Sequence, residues 1–415
     1  MLNGKKGSLA DKLKSLGVKV GAAELGQGRL KPGEGMPIQS VVAGRFIETR
    51  RGETFVCEQA WDAGYRHGEA PLPLSVPLEI VAACAQEPRL AEIPVEELAF
   101  LDTETSGLAG GTGTYAFMVG VGRFSGETFH TSIYFMRDPS EEPALLEGLA
   151  DFLAPCQALV TFNGKAFDAP LLRTRYTLHS IPVPFRDYTH LDMLPLARRL
   201  WRDRLPSRAL KYLEENVLMA PRTAEEVPGY EIPYLYFDYL RSGDASPLKG
   251  VFYHNAMDIV ALAALTSHVA AVLHDPFEGH VQHGLDFVAL AKLFESIGHW
   301  EQAARLYETG LEAELEEPDF WSAVQRLSAL QRRRGDLETA VGLWEQAAAR
   351  GHVYAHVELA KYHEHRRRDF VTALKWTENA IALVAEQDIP RYAYNHWMDE
   401  LNHRKDRLDK KAGQC

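Results

Sequence analysis

The apolar run Leu98-Ala-Phe-Leu101 passes without interruption into Asp102-Thr-Glu-Thr-Ser-Gly-Leu108. Such a run reads as a buried strand, and side chains alternate faces along a strand. Asp102 and Glu104 therefore share one face while Thr103 takes the other. Two like charges side by side at the edge of a core are unfavourable unless something cationic sits between them. A divalent metal answers that requirement, and carboxylate oxygens suit hard ions such as Mg²⁺ or Mn²⁺. Two further motifs set a carboxylate in or beside apolar residues: Phe162-Asn-Gly-Lys-Ala-Phe-Asp168 and Tyr253-His-Asn-Ala-Met-Asp258.

Taken together, the three motifs resemble those of the DEDD superfamily of 3′-5′ exonucleases, which have an RNase H-like fold. Asp102 to Leu108 matches that family's Asp-x-Glu-Thr-x-Gly-Leu signature, with Ser106 at the variable position. The second motif, with Pro170 and Arg173, is similar to the Asn-Gly…Phe-Asp-x-Pro-x-Leu…Arg block of exonuclease modules in some replicative polymerases. The third supplies the last acid. Between them, His190-Leu-Asp-Met-Leu-Pro-Leu-Ala-Arg-Arg-Leu200 and Leu205-Pro-Ser-Arg-Ala-Leu-Lys-Tyr-Leu213 match the family's strand-helix-turn-helix passage. The Gly-Gly-Thr-Gly-Thr insert and the C-terminal repeats resemble most the YprB-type branch of bacterial proteins. The resemblance covers roughly residues 95–275, in ordered motifs.

The resemblance implies a mixed α/β sheet flanked by helices and a metal-dependent phosphodiesterase acting on nucleic acid, single-stranded 3′ ends of DNA or RNA above all. In the two-metal mechanism, cations ~3.5–4 Å apart activate the attacking water and stabilise the leaving oxygen. Asp102 would bridge two Mg²⁺ or Mn²⁺ ions, Glu104 would bind one of them, and Asp168 and Asp258 would complete the metal set. Each acid also has an ordinary use. Asp168 stands before Ala-Pro, an N-cap position, and Asp258 could complement the start of an apolar helix.

Relatives place either a tyrosine four residues before the last Asp or a histidine five before it. Here the two are reversed: His254 is four before Asp258 and Tyr253 is five before. A four-residue step stays on nearly the same helical face, and five swings about 140° away. Histidine also titrates near neutrality. Helical spacing favours His254 as general base, with Tyr253 the alternative. Leu108, Asn163, Lys165, Phe167 and Arg173 are the candidate substrate contacts: Leu108 where relatives wedge a terminal base, Phe167 for stacking, Lys165 and Arg173 for phosphates. Phe162 is a further stacking candidate, although a phenylalanine in either place is more often part of a core. Arg198, Arg199, Arg202, Arg204, Arg208 and Lys211 form a basic run that is either a nucleic-acid face or a solvated one. Ala109-Gly-Gly-Thr-Gly-Thr114 lacks the Gly-Lys-Ser/Thr ending of a nucleotide loop.

The chain has 415 residues and a formal net charge of −12, with 46% hydrophobic residues. That charge argues against adhesion to nucleic acid by the whole surface, though not against a local basic groove. No apolar run approaches the ~18–20 residues that span a bilayer, and nothing at the start resembles a secretion signal. Cys57, Cys84, Cys156 and Cys415 lack disulfide or metal spacing. A cytoplasmic protein with no membrane association is the expectation.

Five segments are expected along the chain. Residues 1–36 read as a flexible N-terminal segment with a short helix at Leu9–Leu16. Residues 37–94 read as an N-terminal extension with a β-hairpin turning at Arg51-Gly52 and a helix near Ile80–Cys84. Residues 95–280 hold the nuclease-like domain. Residues 284–400 form an all-α domain, and 401–415 a charged tail. In the all-α part, Gly298-His-Trp-Glu-Gln-Ala303, Gly335-Asp-Leu-Glu-Thr-Ala340 and Arg368-Asp-Phe-Val-Thr-Ala373 align at separations of 37 and 33 residues. They resemble tetratricopeptide repeats, in which stacked helix pairs share a continuous core and bind protein partners. A plain helical bundle is the alternative. His352 and His356 lie one helical turn apart, a spacing open to zinc but better suited to repeat packing. Two other function classes stay open: a nucleic-acid-binding scaffold whose repeats do the main work, and a structure-specific endonuclease of the same fold. The intact set of four acids weighs against the scaffold.

Overall fold

The strand expected before Asp102 lies inside a seven-stranded mixed sheet. The computed structural model describes residues 35–107 and 113–413; the readings made above for the N-terminal segment, for Leu108 and for Cys415 lie outside the described residues. In chain order the strands are β1 (Arg45–Thr49), β2 (Gly52–Trp61), β3 (Leu98–Thr105), β4 (Ala116–Ser125), β5 (Thr128–Phe135), β6 (Ala158–Thr161) and β7 (Thr189–Asp192). Across the sheet they run β1-β2-β5-β4-β3-β6-β7. Neighbours from β1 to β3 are antiparallel, whereas β3, β6 and β7 are parallel. Parallel neighbours need a crossover, and α2 (Glu142–Leu153) and α3 (Asp168–Leu178) lie in the connections that lead into β6 and β7. The hairpin β1–β2 joins this sheet through β5. Its two turn residues are Arg50 and Arg51, since Thr49 pairs with Gly52. Gly52 itself has φ +122°, which glycine adopts without steric cost.

The longer helices around the sheet are completed by α1 (Glu79–Ala85), α4 (Met193–Trp201), α5 (Leu210–Asn216), α6 (Ile232–Ser242) and α7 (Lys249–His274). The all-α part follows as α8 (Gly284–Ser296), α9 (Trp300–Glu312), α10 (Glu317–Arg334), α11 (Leu337–Ala349), α12 (Val353–Tyr362), α13 (Phe370–Glu386) and α14 (Arg391–Ala412). Alternation along β3 divides its side chains as period two requires. Leu98 and Phe100 pack into the core shared with the latter part of α7, Ala99 and Leu101 into the core with α2 and α3.

Helix α7 corrects one expectation. An 18-residue window within Ser246–His274 has a mean hydropathy of 1.8, and 72% of it is buried inside the molecule. A stretch of membrane-spanning length and composition is therefore present, and here it is the central core helix. His254, Asn255 and Asp258 interrupt its first half and hide its length from a search for unbroken apolar runs.

The three aligned repeats fall at the turns of three helical hairpins, α8–α9, α10–α11 and α12–α13. Each turn places a residue in the left-handed region: Gly298 at φ +82°, Gly335 at +88° and Arg368 at +53°. Ala303, Ala340 and Ala373 follow at the same offset, each fully buried, where a small side chain lets paired helices approach. Asp336 and Asp369 cap the second helices by accepting the Thr339 and Thr372 N–H groups at 3.1 and 3.0 Å. His356 is buried with its ring 5.3 Å from that of Trp376, and His352 lies 4.9 Å from Trp321, so both pack within the repeats. Arg332, Arg333 and Arg334 pair with Glu358, Glu295 and Glu301 on neighbouring helices. Residues 401–412, expected as a tail, are the last turns of α14 and bury Leu401, Arg404 and Leu408.

Two residues of the basic run, Arg199 and Arg204, are held where the two parts meet. Arg204 binds Asp286 at 2.8 Å, Arg199 donates to the Cys84 carbonyl and to Ser296 Oγ, each at 2.7 Å, and Arg202 pairs with Asp203, which also receives Lys292. Arg199 and Arg204 thus join α4 and the turn after it to α1 and α8. Lys211 lies 3.5 Å from Glu226.

Candidate active site

Asp102 and Glu104 occupy the last half of β3, where the strand emerges from its fully buried half. The alternation that puts Phe100 against α7 puts Asp102 there too, and Asn255 on α7 donates to Asp102 Oδ2 at 2.9 Å. Asn255 is completely buried, and its Oδ1 lies where a Cβ on Gly120 of β4 would be, only 2.2 Å from it. Gly120 thus makes room for the amide that orients Asp102. Thr103 points to the other face, and its hydroxyl donates to Asp168 Oδ1 at 2.5 Å. Asp168 opens α3, and its carboxylate is turned toward β3, where it meets Thr103. The acids therefore approach the same strand end from both faces of the sheet.

The turn that delivers Asp168 is built on a carboxylate outside the three motifs. Asp192, at the end of β7, accepts the N–H groups of Asn163 (2.7 Å), Lys165 (3.2 Å) and Leu194 (3.1 Å). Asn163 has φ +69°, a conformation that Asn tolerates better than most residues. Gly164 follows because a Cβ there would sit 2.5 Å from that of Thr161. The Asn-Gly pair is thus accounted for by the backbone. Lys165 pairs with Glu87 at 2.6 Å, so its charge is already matched. Arg173 lies over the Phe185 ring at 5.8 Å. Phe162 packs against the core, whereas Phe167, next to Asp168, is 61% exposed and presents an aromatic face beside the acids.

On α7, His254 and Asp258 stand one turn apart on the same side. His254 Nε2 is 3.3 Å from Asp258 Oδ2 and 3.7 Å from Glu104 Oε1. Its Nδ1 lies 2.9 Å from Glu226 Oε1. Tyr253 points away, and its hydroxyl oxygen accepts the Thr223 N–H at 3.1 Å. Asp258 is also bound by Arg222 through Nη2. Arg222 further donates through Nε to Glu214 at 2.6 Å and through Nη1 to Glu226 at 3.0 Å. Glu214 in turn meets His67 Nε2 at 2.7 Å. Asn255, Arg222, Glu226, Glu214 and His67 were not singled out from the sequence. Only Asn255 lies in a recognised motif; Glu214 is on α5, Arg222 and Glu226 stand four residues apart in the connection after it, and His67 lies far upstream in the chain.

The electrostatics divide the acids. Burial, followed by repulsion from Asp258, Asp168 and Glu104, pushes Asp102 well above the usual carboxylate range. Burial raises Glu104 to about 8 against the pull of His254. Burial also raises Asp168, partly offset by the Thr103 hydrogen bond. Asp258 moves the other way: His254 and Arg222 outweigh its burial and lower it. Burial opposes charge on His254, but hydrogen bonds to Asp258 and Glu226 raise it to about 11. The group is an assembly of oxygen donors with more acid than its cations satisfy. One ligand atom from each of Glu104, His254 and Asp258 lies within 4.8 Å of the others. Such a donor set fits a hard divalent cation, with Asp102 and Asp168 as the remaining carboxylates.

A family model described as the RNase H superfamily matches residues 99–270, the segment that carries all of these acids. The protein YprB of Bacillus subtilis (strain 168) is 35% identical over 295 residues, covering 69% of this chain and 70% of its own. Among solved structures, the family B DNA polymerase of the hyperthermophilic archaeon Pyrobaculum calidifontis aligns at 14% identity with a TM-score of 0.34. That alignment covers 49% of this chain and 30% of the polymerase.

Proposed function

The chain belongs to the YprB family and carries an RNase H-like nuclease-type domain, and from this premise we propose that it is a metal-dependent 3′-5′ exonuclease acting on single-stranded DNA or RNA. The observation that carries the reading is the convergence of Asp102, Glu104, Asp168 and Asp258 on one strand end, with three of the four carboxyls held above the ordinary range. Acids so placed gain from any divalent cation between them. They would hold two ions, Mg²⁺ or Mn²⁺, which supply charge neutralisation for a phosphodiester under attack by water.

The chain's own residues do the rest. Asn255 orients Asp102, and Thr103 orients Asp168 across the strand. His254 aims Nε2 at the acid cluster, and that nitrogen is the one able to take a proton from the attacking water. The charge on His254 is now matched by acids; cations held by those acids would repel it and bring its pKa back toward neutrality. The hydrogen bond between Tyr253 and Thr223 supports His254 over Tyr253 as base. Phe167 offers a stacking surface for a terminal base, and the helical hairpins would guide the strand or recruit a protein partner.

The test is incubation of the protein with end-labelled single- and double-stranded DNA and RNA in Mg²⁺, Mn²⁺ or chelator. A ladder shortening from the 3′ end, abolished by chelator, is expected. Metal-dependent internal cuts would replace exonuclease with endonuclease action, and intact substrate in every arm would refute a nuclease.

A further inference from the structure

The buried charges behind His254 form a continuous relay. His67, Glu214, Arg222, Glu226 and His254 are linked in that order at distances of 2.6–3.0 Å. The Arg222 side chain is 2% exposed and that of Glu226 is 9%. Placing this many charges out of water costs more than an apolar packing of the same volume would, so stability alone is a poor reason for it. What the relay does fix is geometry. Arg222 holds Glu226 with one nitrogen and Asp258 with another, so the carboxylate behind His254 and the acid in front of it share one rigid guanidinium. Glu226 is also distinct from its neighbour: Glu225 is exposed and pairs with Lys249 at 2.9 Å, away from this chain of contacts.

We propose that Glu226 is the positioning residue of His254, holding Nδ1–H so that Nε2 faces Glu104 and Asp258, with Arg222 fixing Glu226 in turn. A histidine has two ring nitrogens, and the partner of one decides the tautomer and orientation of the other. With Nδ1 committed to Glu226 Oε1, the ring cannot flip without breaking that bond, and only Nε2 reaches the acids. The relay sets which nitrogen serves the site. This assignment rests on the nuclease reading for its catalytic consequence but not for its geometry.

Both can be tested separately. In ring ¹⁵N–¹H correlation spectra of the full-length protein, the His254 Nδ1 proton should give a protected resonance. Glu226→Ala should abolish it, and Glu225→Ala should leave it. In cleavage assays with Mg²⁺, Glu226→Ala should lower kcat by about 10–100-fold, the usual cost of losing an outer-shell partner, with KM for the labelled strand unchanged. Glu226→Gln keeps an acceptor oxygen for Nδ1–H and should recover part of the loss, which also guards against misfolding of the alanine variant. His254→Ala should cost roughly 10²–10⁴-fold, and adding Glu226→Ala to it should cost nothing more. An equal penalty for Glu226→Ala in both backgrounds, or a Nδ1 resonance indifferent to Glu226, would overturn the proposal. A wild-type protein that cleaves nothing while its Nδ1 resonance behaves as described would refute the nuclease reading and leave the positioning intact.

Discussion

Glu104 and Glu364 are both acids drawn into the protein, and their surroundings push them in opposite directions. Glu364, in the turn between α12 and α13, is fully buried and accepts from Arg404 (3.0 Å), Arg407 (2.8 Å) and Lys411 (2.9 Å) of α14. Burial alone would raise its pKa, but the hydrogen bonds from Arg407 and Lys411 hold it down to about 2. Glu104 has one histidine for company and three carboxylates nearby, and it rises to about 8. One acid is satisfied by its own chain and clamps the last helix in place. The other is left short of cations by its own chain, which is the condition for taking one from solution. Burial is common to both sites; the sign of the neighbours decides whether a carboxylate serves structure or ligand binding.

The largest effect that would sharpen this contrast comes from Asp102→Asn. The amide oxygen keeps the bond from Asn255 while the charge is removed. Cleavage should fall by at least ~10³-fold, the equivalent of about 4 kcal/mol, while the melting temperature in chelator stays equal or rises. Full activity in a folded Asp102→Asn protein would break the comparison on the catalytic side. Next in size, Glu364→Ala should destabilise the docking of α14 by roughly 3–5 kcal/mol, because it strands buried Arg404 without its partner. Denaturant unfolding would read that loss, and Mg²⁺ should not restore it; an unchanged midpoint would show that Glu364 does not hold α14.

The smallest effect is in the pH dependence of stability. Glu104 rises from 4.5 to about 8 and His254 from 6.5 to about 11. Both therefore stabilise the folded state below their unfolded values and lose that contribution as pH climbs through the folded ones. Glu364 behaves inversely, contributing above 4.5 and losing it as pH falls through about 2. In chelator, thermal stability should decline from pH 5 to pH 8, by up to about 1.4 kcal/mol per pH unit for each extra proton the folded state holds. Added Mg²⁺ should flatten the slope. A stability that rises over that interval in chelator would contradict the arrangement of charges at the acid cluster.

The sequence by itself determined the acids, because their chemistry is local: an apolar strand running into Asp102 and Glu104 leaves the two on one face whatever surrounds them. It also determined the helical hairpins, since a left-handed turn residue and a buried alanine recur at fixed offsets. Helical spacing was enough to place His254, and not Tyr253, on the same side of α7 as Asp258. Tertiary structure decided everything that depends on which segments meet. Arg222 and Glu226 acquire their importance only because the connection after α5 folds against α7. Asp192 shapes the Asn163-Gly164 turn from a strand 29 residues away. Arg204 and Arg199 of the basic run become junction contacts because α8 supplies Asp286 and Ser296. A charge in sequence has no sign of its function until its neighbours are known, and those neighbours are brought together by the fold.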